Sequence, residues 1–312
     1  IQLPDFQRGW VWDDNRIKAL IASISNSFPV GALMFLQYGG DTVRFKCRPF
    51  TDVDVVEQTP ENLVLDGQQR LTSIFCSMYS RKPVPIQTDK SVKIKRFYYL
   101  DMQKCLDLSI DREDAILSIP ETREVRSDFG RKIDLDLSSP DREYEQHMFP
   151  LNIVYDYNAC ADWRNAYQEY HAYDKFIMQR YTDFETDILR TIQNYKVPVI
   201  TLGKSTPKEA VCQVFENVNT GGVSLTVFEL ITATYAADDF LLREDWEKRQ
   251  NEFIKKSMLP DDADSAILSV VSSTDFLTAT TLYSKYLSHI SNGDAVSCKR
   301  KDVHILSLTT HC

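Results

Sequence analysis

Residues 63–75 read LVLDGQQRLTSIF, and this stretch decides how the first part of the chain folds. Its three leading apolar residues are typical of a short buried strand. Asp66-Gly67 then predicts a tight turn, because glycine accepts backbone angles that other residues avoid. From Leu71 to Met78, apolar residues recur at the spacing of one helix face. The stretch therefore predicts a strand, a turn and a helix in immediate succession.

The polar residues of this stretch, Asp66 to Arg70, lie where the strand ends and the helix begins. Backbone N–H groups without helical acceptors and the positive end of the helix dipole collect there, which favours anions and above all phosphate. A simple turn needs only Asp-Gly and gives no reason for the Gln-Gln-Arg that follows. We therefore predict a ligand site at residues 66–70. The structural alternative is that Arg70 forms a buried salt bridge with Asp66, with the glutamines on the helix surface.

The chain has 312 residues, of which 43% are apolar and 11% aromatic, so one large or two ordinary domains with hydrophobic cores are expected. No apolar run approaches the length of a membrane span and no signal-peptide pattern opens the chain, so no membrane partner is expected. Because the first residue is Ile1 rather than Met, we expect a fragment of a longer protein. The seven cysteines never form C-x-x-C, which predicts thiols in a reducing, cytoplasmic setting.

Charge is distributed unevenly along the chain. The net charge of −9 argues against a protein that coats nucleic acid through general basicity. Residues 1–100 carry 13 Lys and Arg against 10 Asp and Glu, a balance of +3, whereas residues 101–312 carry 23 against 35, a balance of −12. The mildly positive part contains the turn at residues 66–70, which is compatible with a phosphate ligand.

The order of predicted elements divides the chain in two. Residues 1–101 predict a small α+β domain with a helix, strands, the strand–turn–helix and a further strand. The additional strands of this domain are predicted at residues 32–37, 42–46 and 96–100. Residues 102–312 predict a mainly α-helical domain that is truncated at its C-terminus. Its predicted features are a short helix at 111–117, a charged loop or insertion near 119–147, a long aromatic-rich helix over about 163–176 and a strand at 197–202.

Two further polar segments are candidate binding elements. Asp5, Gln7 and Arg8 lie among aromatic residues, where polar groups require partners and are hard to explain by packing alone. Residues 219–222 read Asn-Thr-Gly-Gly between two predicted helices and offer a second contact for phosphate or backbone. This second signal is weaker, because Gly-Gly is also a common helix terminator.

Other motifs in the chain are not supported. Residues 203–205 read GKS after a strand, like the end of a Walker A loop, but the first glycine of such a loop would fall at Pro198. His304, His311 and Cys312 match no common zinc spacing. With five histidines and none near the turn in sequence, general-base catalysis by histidine has little support.

Three blocks, in this order, resemble the GmrS-type domain of GmrSD-like modification-dependent (type IV) restriction systems. They are PDFQRGWVW at residues 4–12, LDGQQRLT at 65–72 and FENVNTGGVSLT at 215–226. That group is also linked to phage-defence proteins acting on modified or phosphorothioated DNA. The resemblance extends from Leu3 to about Lys301, essentially the whole chain.

The resemblance implies a ParB/sulfiredoxin-like mixed-sheet fold for the α+β domain, followed by the helical domain. It implies a nucleoside triphosphate site at the DGQQR turn, NTP hydrolysis with Mg²⁺, and cooperation with an HNH-type nuclease domain or subunit on modified DNA. No HNH pattern is visible in this chain, so we do not expect it to cut DNA alone. Sulfiredoxins carry Cys-His where this chain has Gln68-Gln69, which excludes sulfinic-acid repair.

The local chemistry and the resemblance assign roles to the same residues. Backbone N–H groups from Gly67 onward would hold phosphate oxygens, and Arg70 would neutralise the charge that grows during transfer. Asp66 would bind Mg²⁺ or orient water, and Gln68 or Gln69 would place that water. The alternative is a module that binds nucleotide without cleaving it and gates the binding of DNA or protein. The remaining predicted nucleotide contacts are Asp5, Gln7, Arg8, Thr72, Asn219, Thr220, Gly221 and Gly222.

Overall fold

A computed structural model of the chain describes residues 1–4, 7, 12–39, 45, 47–50, 53, 58–88, 92–207, 210–211, 214, 228, 231–232, 235, 240–257 and 270–292. This part of the chain mixes helices with several small sheets, which is consistent with the predicted α+β class. The strands are β1 (Leu3–Pro4), β2 (Leu33–Gln37), β3 (Cys47–Arg48), β4 (Asn62–Asp66), β5 (Val84–Gln87), β6 (Lys93–Asp101), β7 (Ile116–Pro120), β8 (Glu124–Ser127), β9 (Lys132–Asp136), β10 (Met148–Pro150) and β11 (Val199–Leu202).

The α-helices of the described residues are α1 (Asp14–Ser25), α2 (Gln68–Met78), α3 (Met102–Leu106), α4 (Pro140–Glu145), α5 (Tyr157–Tyr170), α6 (Lys175–Phe184), α7 (Arg190–Gln193), α8 (Leu242–Ser257) and α9 (Ser273–Asn292). Helix α2 is the helix of the strand–turn–helix stretch. Among the described residues, no helix combines the length and apolar character needed to cross a bilayer.

Strand β4 is buried on both faces. Leu63 and Leu65 pack with Leu36 on one side of the strand, and Val64 packs with Leu3 on the other. Because successive side chains of a strand point to opposite faces, a strand buried on both faces reads as an unbroken apolar run. The strand predicted from LVL at residues 63–65 is therefore confirmed, and it places Asp66 at its end.

Strand β4 belongs to a three-stranded sheet in the order β11–β2–β4. It pairs antiparallel with β2, and β2 pairs parallel with β11. A bridge between Gln2 and Leu63 brings the start of the chain alongside β4. The strands predicted at 32–37 and 197–202 are confirmed within two residues, and the strand predicted at 42–46 lies almost entirely outside the described residues.

Strand β6 is the centre of the second sheet. It pairs antiparallel with β5, β7 and β10, and the core beneath it is built with α1, α2, α5 and α6. It ends at Asp101, where the sequence places the domain boundary, while β7 and β10 follow that boundary. The second sheet therefore extends across residue 101, and the division into domains at that residue stays a prediction.

The segment near residues 119–147 differs from the expected charged loop or insertion. Strands β8 and β9 form an antiparallel hairpin in it, and α4 follows. Val125 and Leu135 pack against a cluster that contains Tyr99 and Ile119. The strand pattern was missed because charged residues alternate with these few apolar ones, so the segment as a whole has the composition of a loop. Residues 111–117 also differ from the predicted short helix, because a 3₁₀ turn at Arg112–Ala115 leads directly into β7.

The long aromatic-rich helix expected over 163–176 is two helices. Helix α5 ends at Tyr170, and Ala172 and Tyr173 have left-handed φ values of 51° and 55°. Asp174 then caps α6, because its carboxylate accepts hydrogen bonds from the backbone N–H groups of Phe176 and Ile177. An Asp before an apolar-periodic run is a common helix start, and this signal for a new helix was present in the sequence.

A buried carboxylate in α4 ties the second sheet to α5. Glu143 is 4% exposed and accepts hydrogen bonds from the Tyr99 hydroxyl at 3.0 Å and the Trp163 indole N–H at 3.1 Å. A guanidinium nitrogen of Arg123 lies 3.5 Å from the same carboxylate. Burial raises the pKa of Glu143 above its ordinary value, and the three partners offset only part of this rise.

Glu143→Ala is expected to lower the free energy of unfolding by about 3 kcal/mol, because it leaves buried donors without an acceptor. Urea denaturation measures this change. Glu145→Ala is the matched control on the same helix, since Glu145 is half exposed and forms a surface ion pair with Arg142. This control should cost at most about 0.5 kcal/mol. Equal losses for the two variants would contradict a structural role for Glu143.

Candidate functional site

A single glycine joins β4 to α2. Gly67 has φ +91° and ψ 10°, in the left-handed region, and it is the N-cap of α2. Glycine adopts this conformation without the steric penalty that a Cβ brings. A Cβ at this position would also lie 2.2 Å from Cδ2 of Leu33. The predicted turn is therefore confirmed, and only glycine fits it.

The carboxylate before this turn and the arginine after it form an ion pair. Nη2 of Arg70 lies 2.7 Å from Oδ2 of Asp66, and Nη1 donates to the carbonyl oxygen of Val30 at 2.7 Å. The side chains of Arg70 and Asp66 are 18% and 27% exposed. The salt bridge of the structural alternative is thus present, but both groups still reach solvent.

The backbone around Gly31 fixes the position of the guanidinium. Gly31 has φ +85°, and a Cβ there would lie 2.6 Å from Nη1 of Arg70. The turn after α1 therefore packs directly against Arg70 and holds it in one orientation. Preorganised charges of this kind stabilise a bound anion without a further ordering penalty.

The ion pair leaves hydrogen-bonding capacity on both partners. Arg70 uses Nη1 and Nη2, and only Oδ2 of Asp66 is bonded among the described residues. A guanidinium has five N–H donors, and a carboxylate accepts through both oxygens. In proteins Mg²⁺ commonly binds one or two carboxylates together with substrate phosphates and water. No group of three or more His, Cys, Asp or Glu ligands that could hold a metal ion occurs among the described residues.

The other residues of the motif divide between the interior and the surface. Gln68 is 7% exposed and Thr72 1%, and the Thr72 hydroxyl donates to the Gln68 carbonyl oxygen at 2.8 Å. Gln69 is partly exposed, as are Asp66 and Arg70. The structure therefore places Asp66, Gln69 and Arg70 on the accessible side of the turn, whereas Gln68 and Thr72 face inward.

Gln7 crosses over the end of β4. Its Nε2 donates to the carbonyl oxygens of Val64 at 2.6 Å and Leu65 at 3.1 Å, and its side chain is buried. Its Oε1 is also buried and has no hydrogen-bond partner among the described residues. A buried acceptor without a partner is rare and requires an explanation, which the donor group of a ligand would supply. The structure thus brings predicted residue Gln7 next to the strand that carries Asp66.

Gln7→Glu tests this arrangement. The carboxylate has no N–H for the two carbonyl oxygens and would be charged in a buried position, so we expect a loss of about 3 kcal/mol in the free energy of unfolding. Gln7→Met, of similar size and uncharged, should cost about 1–2 kcal/mol through the two lost hydrogen bonds. Urea denaturation compares the two variants, and an equal or smaller loss for Gln7→Glu would contradict the buried contacts.

Several predicted contacts lie outside the described residues, namely Asp5, Arg8, Asn219, Thr220, Gly221 and Gly222. Val211, which follows β11 in the chain, packs in the same cluster as Leu63 and Leu65 and so lies against the strand that leads to Asp66. The roles of these six residues stay predictions.

Sequence reasoning missed two parts of the site. The Val30 carbonyl oxygen that holds Arg70 gives no signal, because every residue has a carbonyl and its partner is 40 positions away. Gly31 does give one, since a glycine after Phe-Pro-Val at the end of a helix can mark a left-handed turn.

Comparison with known proteins gives two matches. The family model described as the GmrSD restriction endonuclease, N-terminal domain, matches residues 1–236. An uncharacterized protein of Methanocaldococcus jannaschii, MJ0686, is 26% identical over 276 residues, which cover 86% of this chain and 44% of that protein. The chain therefore spans less than half the length of this relative.

Proposed function

The chain belongs to the GmrSD restriction endonuclease N-terminal domain family, and from this premise we propose that it binds a nucleoside triphosphate at the turn between β4 and α2, hydrolyses it, and thereby regulates a DNA-cutting nuclease. The observation that carries the proposal is the left-handed Gly67, which sets the partly exposed Asp66 and Arg70 at the N-terminus of an 11-residue helix. A glycine turn leading into a helix N-terminus is a recurrent phosphate-binding arrangement.

In this proposal Arg70 neutralises the phosphate charge that develops during transfer. Because the Val30 carbonyl and Asp66 hold its guanidinium at 2.7 Å each, the group is already oriented before nucleotide arrives. Asp66 would supply its second carboxylate oxygen to Mg²⁺ or to the attacking water. Of the two glutamines, the partly exposed Gln69 is the better candidate to place that water. The Thr72 hydroxyl would have to give up its helix hydrogen bond in order to donate to a phosphate.

The proposal extends to features that the described residues do not test. The first part of the chain would be ParB/sulfiredoxin-like, and Asn219 to Gly222 would approach the nucleotide from the helical part. The buried Oε1 of Gln7 supports a ligand at this end of the sheet, because a ribose or base donor would give it a partner. Modified DNA and an HNH-type nuclease domain or subunit would be the partners whose action depends on the nucleotide state.

A second candidate function is a gate that binds nucleotide without cleaving it. The observation in its favour is that Oδ2 of Asp66 is already engaged by Arg70, which leaves less of the carboxylate for activating water. The two functions differ in chemistry but share the site, so a binding measurement alone cannot separate them.

A phosphate-release assay separates the hydrolysing module from the gate that binds nucleotide without cleaving it. The purified chain is incubated with Mg²⁺ and each common nucleoside triphosphate, with and without duplex DNA that carries modified bases. The proposal predicts phosphate release that DNA alters, and the gate predicts none. In both cases nucleotide at about 100 times its Kd should raise the free energy of unfolding by about 2.7 kcal/mol. The absence of both phosphate release and thermal stabilisation would contradict the triphosphate site itself.

A further inference from the structure

A cavity of about 220 Å³ lies between α3 and α6, and none of its lining residues belongs to the turn at residues 66–70. Its apolar lining comes from Met102, Leu106 and Ile177. Both helices start at capping aspartates, because Asp101 accepts from backbone N–H groups of α3 and Asp174 from those of α6. The apolar side of the cavity is therefore built on two fixed helix starts.

Aromatic rings form another part of its lining. Tyr167 is fully buried and its hydroxyl lies 2.7 Å from Nδ1 of His147, which also lines the cavity. Phe176 is at the rim and 71% exposed. Tyr173, three residues before it, is 59% exposed and held in the left-handed region. Backbone strain and exposed aromatic side chains at one turn are features that concentrate at binding sites.

The cavity lining also includes hydrogen-bond donors. Arg180 lies with its guanidinium carbon 5.8 Å from the centre of the Phe176 ring, and no carboxylate of the described residues pairs with it. Burial lowers the pKa of His147, and neighbouring His171 and Arg180 lower it further. A half-buried arginine without an acidic partner favours a ligand that brings hydrogen-bond acceptors or negative charge.

These features suit a flat ring with apolar faces and acceptors on its edge. A nucleobase has this chemistry, and stacking of a base on an aromatic side chain contributes about 1–3 kcal/mol. Drug-sized ligands usually need about 300–1,000 Å³, so this smaller cavity suits one base rather than a whole nucleoside triphosphate. The balance of −12 over residues 101–312 disfavours a surface that follows the DNA backbone.

We propose that the cavity between α3 and α6 receives one nucleobase extruded from the DNA target, with the ring against Phe176 and the apolar lining and its acceptors toward Arg180. The inference rests on the proposed function, because it names the part of the DNA that this chain would recognise. Extrusion is easiest for a mismatched base, which is already poorly paired and stacked.

Fluorescence anisotropy with labelled duplexes tests the proposal. One duplex is fully paired, and the other is identical except for a single mismatched cytosine. Wild-type chain should bind the mismatched duplex about tenfold more tightly, because less pairing energy is lost on extrusion. Phe176→Ala and Arg180→Ala should each reduce that preference to about twofold or less, while Phe176→Tyr, which keeps the ring, should retain it.

Phe129→Ala is the matched control, because Phe129 is fully exposed at the tip of the β8–β9 hairpin and lines no part of the cavity. The Phe129→Ala chain should prefer the mismatched duplex over the paired one as strongly as the wild type does. The proposal is overturned if wild type binds the two duplexes equally, if Phe176→Ala keeps the full preference, or if Phe129→Ala loses it as well. Phosphate release that still depends on Arg70 in such a case would leave the triphosphate site standing, so the two failures are distinguishable.

Discussion

Arg70→Ala is expected to lower the rate of nucleoside triphosphate hydrolysis by about 100-fold or more, the effect typical of removing one preorganised donor from a charged transition state. The guanidinium lies at the start of α2, held by Asp66 and the Val30 carbonyl, and 18% of its side chain reaches solvent. Removing it also leaves the carboxylate of Asp66 without its partner, which adds negative charge where phosphate would bind. Steady-state phosphate release at saturating nucleotide measures the change.

The control for Arg70→Ala is Arg112→Ala. Arg112 donates to a backbone carbonyl, that of Cys105 at 2.9 Å, and to the Asn26 side chain at 3.3 Å. The Arg112→Ala variant therefore loses a similar set of contacts away from the turn. Its rate of nucleotide hydrolysis should stay within about twofold of the wild type, since Arg112 touches no reacting group. Unchanged turnover in Arg70→Ala, in a chain that hydrolyses nucleotide, would remove the catalytic assignment.

Gly67→Ala is expected to lower the free energy of unfolding by about 3 kcal/mol and to abolish nucleotide binding. A non-glycine residue in the left-handed region costs about 1–2 kcal/mol, and an added methyl group in a packed site costs about 1–3 kcal/mol. Both terms apply here, because φ is +91° and the new Cβ would lie 2.2 Å from Cδ2 of Leu33. Relief of the clash would shift β2 or the start of α2, and with it the N–H groups proposed to bind phosphate.

Gly130→Ala separates the two contributions. Gly130 has φ +86°, almost the same backbone angle, but a Cβ there would meet nothing within 4 Å. It should therefore lose only the conformational part, about 1–2 kcal/mol, and keep nucleotide binding. Urea denaturation and nucleotide titration of both variants give the comparison. Equal stability losses, or wild-type nucleotide binding by Gly67→Ala, would contradict the close packing assigned to this turn.

The local structure around the site was predictable because its signals are short in range. The unbroken apolar run at residues 63–65 gave the buried strand β4, Asp-Gly gave the turn, and the spacing after Leu71 gave α2. The family followed from three blocks in order, and the match over residues 1–236 confirms it. Each of these inferences needs only neighbouring residues or a linear pattern.

The partners of the site residues were not predictable, because they depend on distant contacts. The pairing of β2 with β11 joins residues about 165 positions apart, and only a folded sheet reveals it. The same holds for Gln7, whose bonds to Val64 and Leu65 explain a polar residue that the sequence could only flag as unusual. Thr72 differs from Gln7, because the sequence predicts it as a nucleotide contact whereas its hydroxyl donates a hydrogen bond within its own helix.

The most direct test of the central claim is calorimetric titration of Mg²⁺–nucleoside triphosphate into the wild-type chain and into Arg70→Ala. Hydrogen bonds to charged groups contribute about 1.5–3 kcal/mol, so the variant should bind about 10–100 times more weakly, while the wild type should prefer triphosphate to monophosphate. Equal affinities of wild type and Arg70→Ala, or equal affinities for triphosphate and monophosphate, would contradict a phosphate site at residues 66–70.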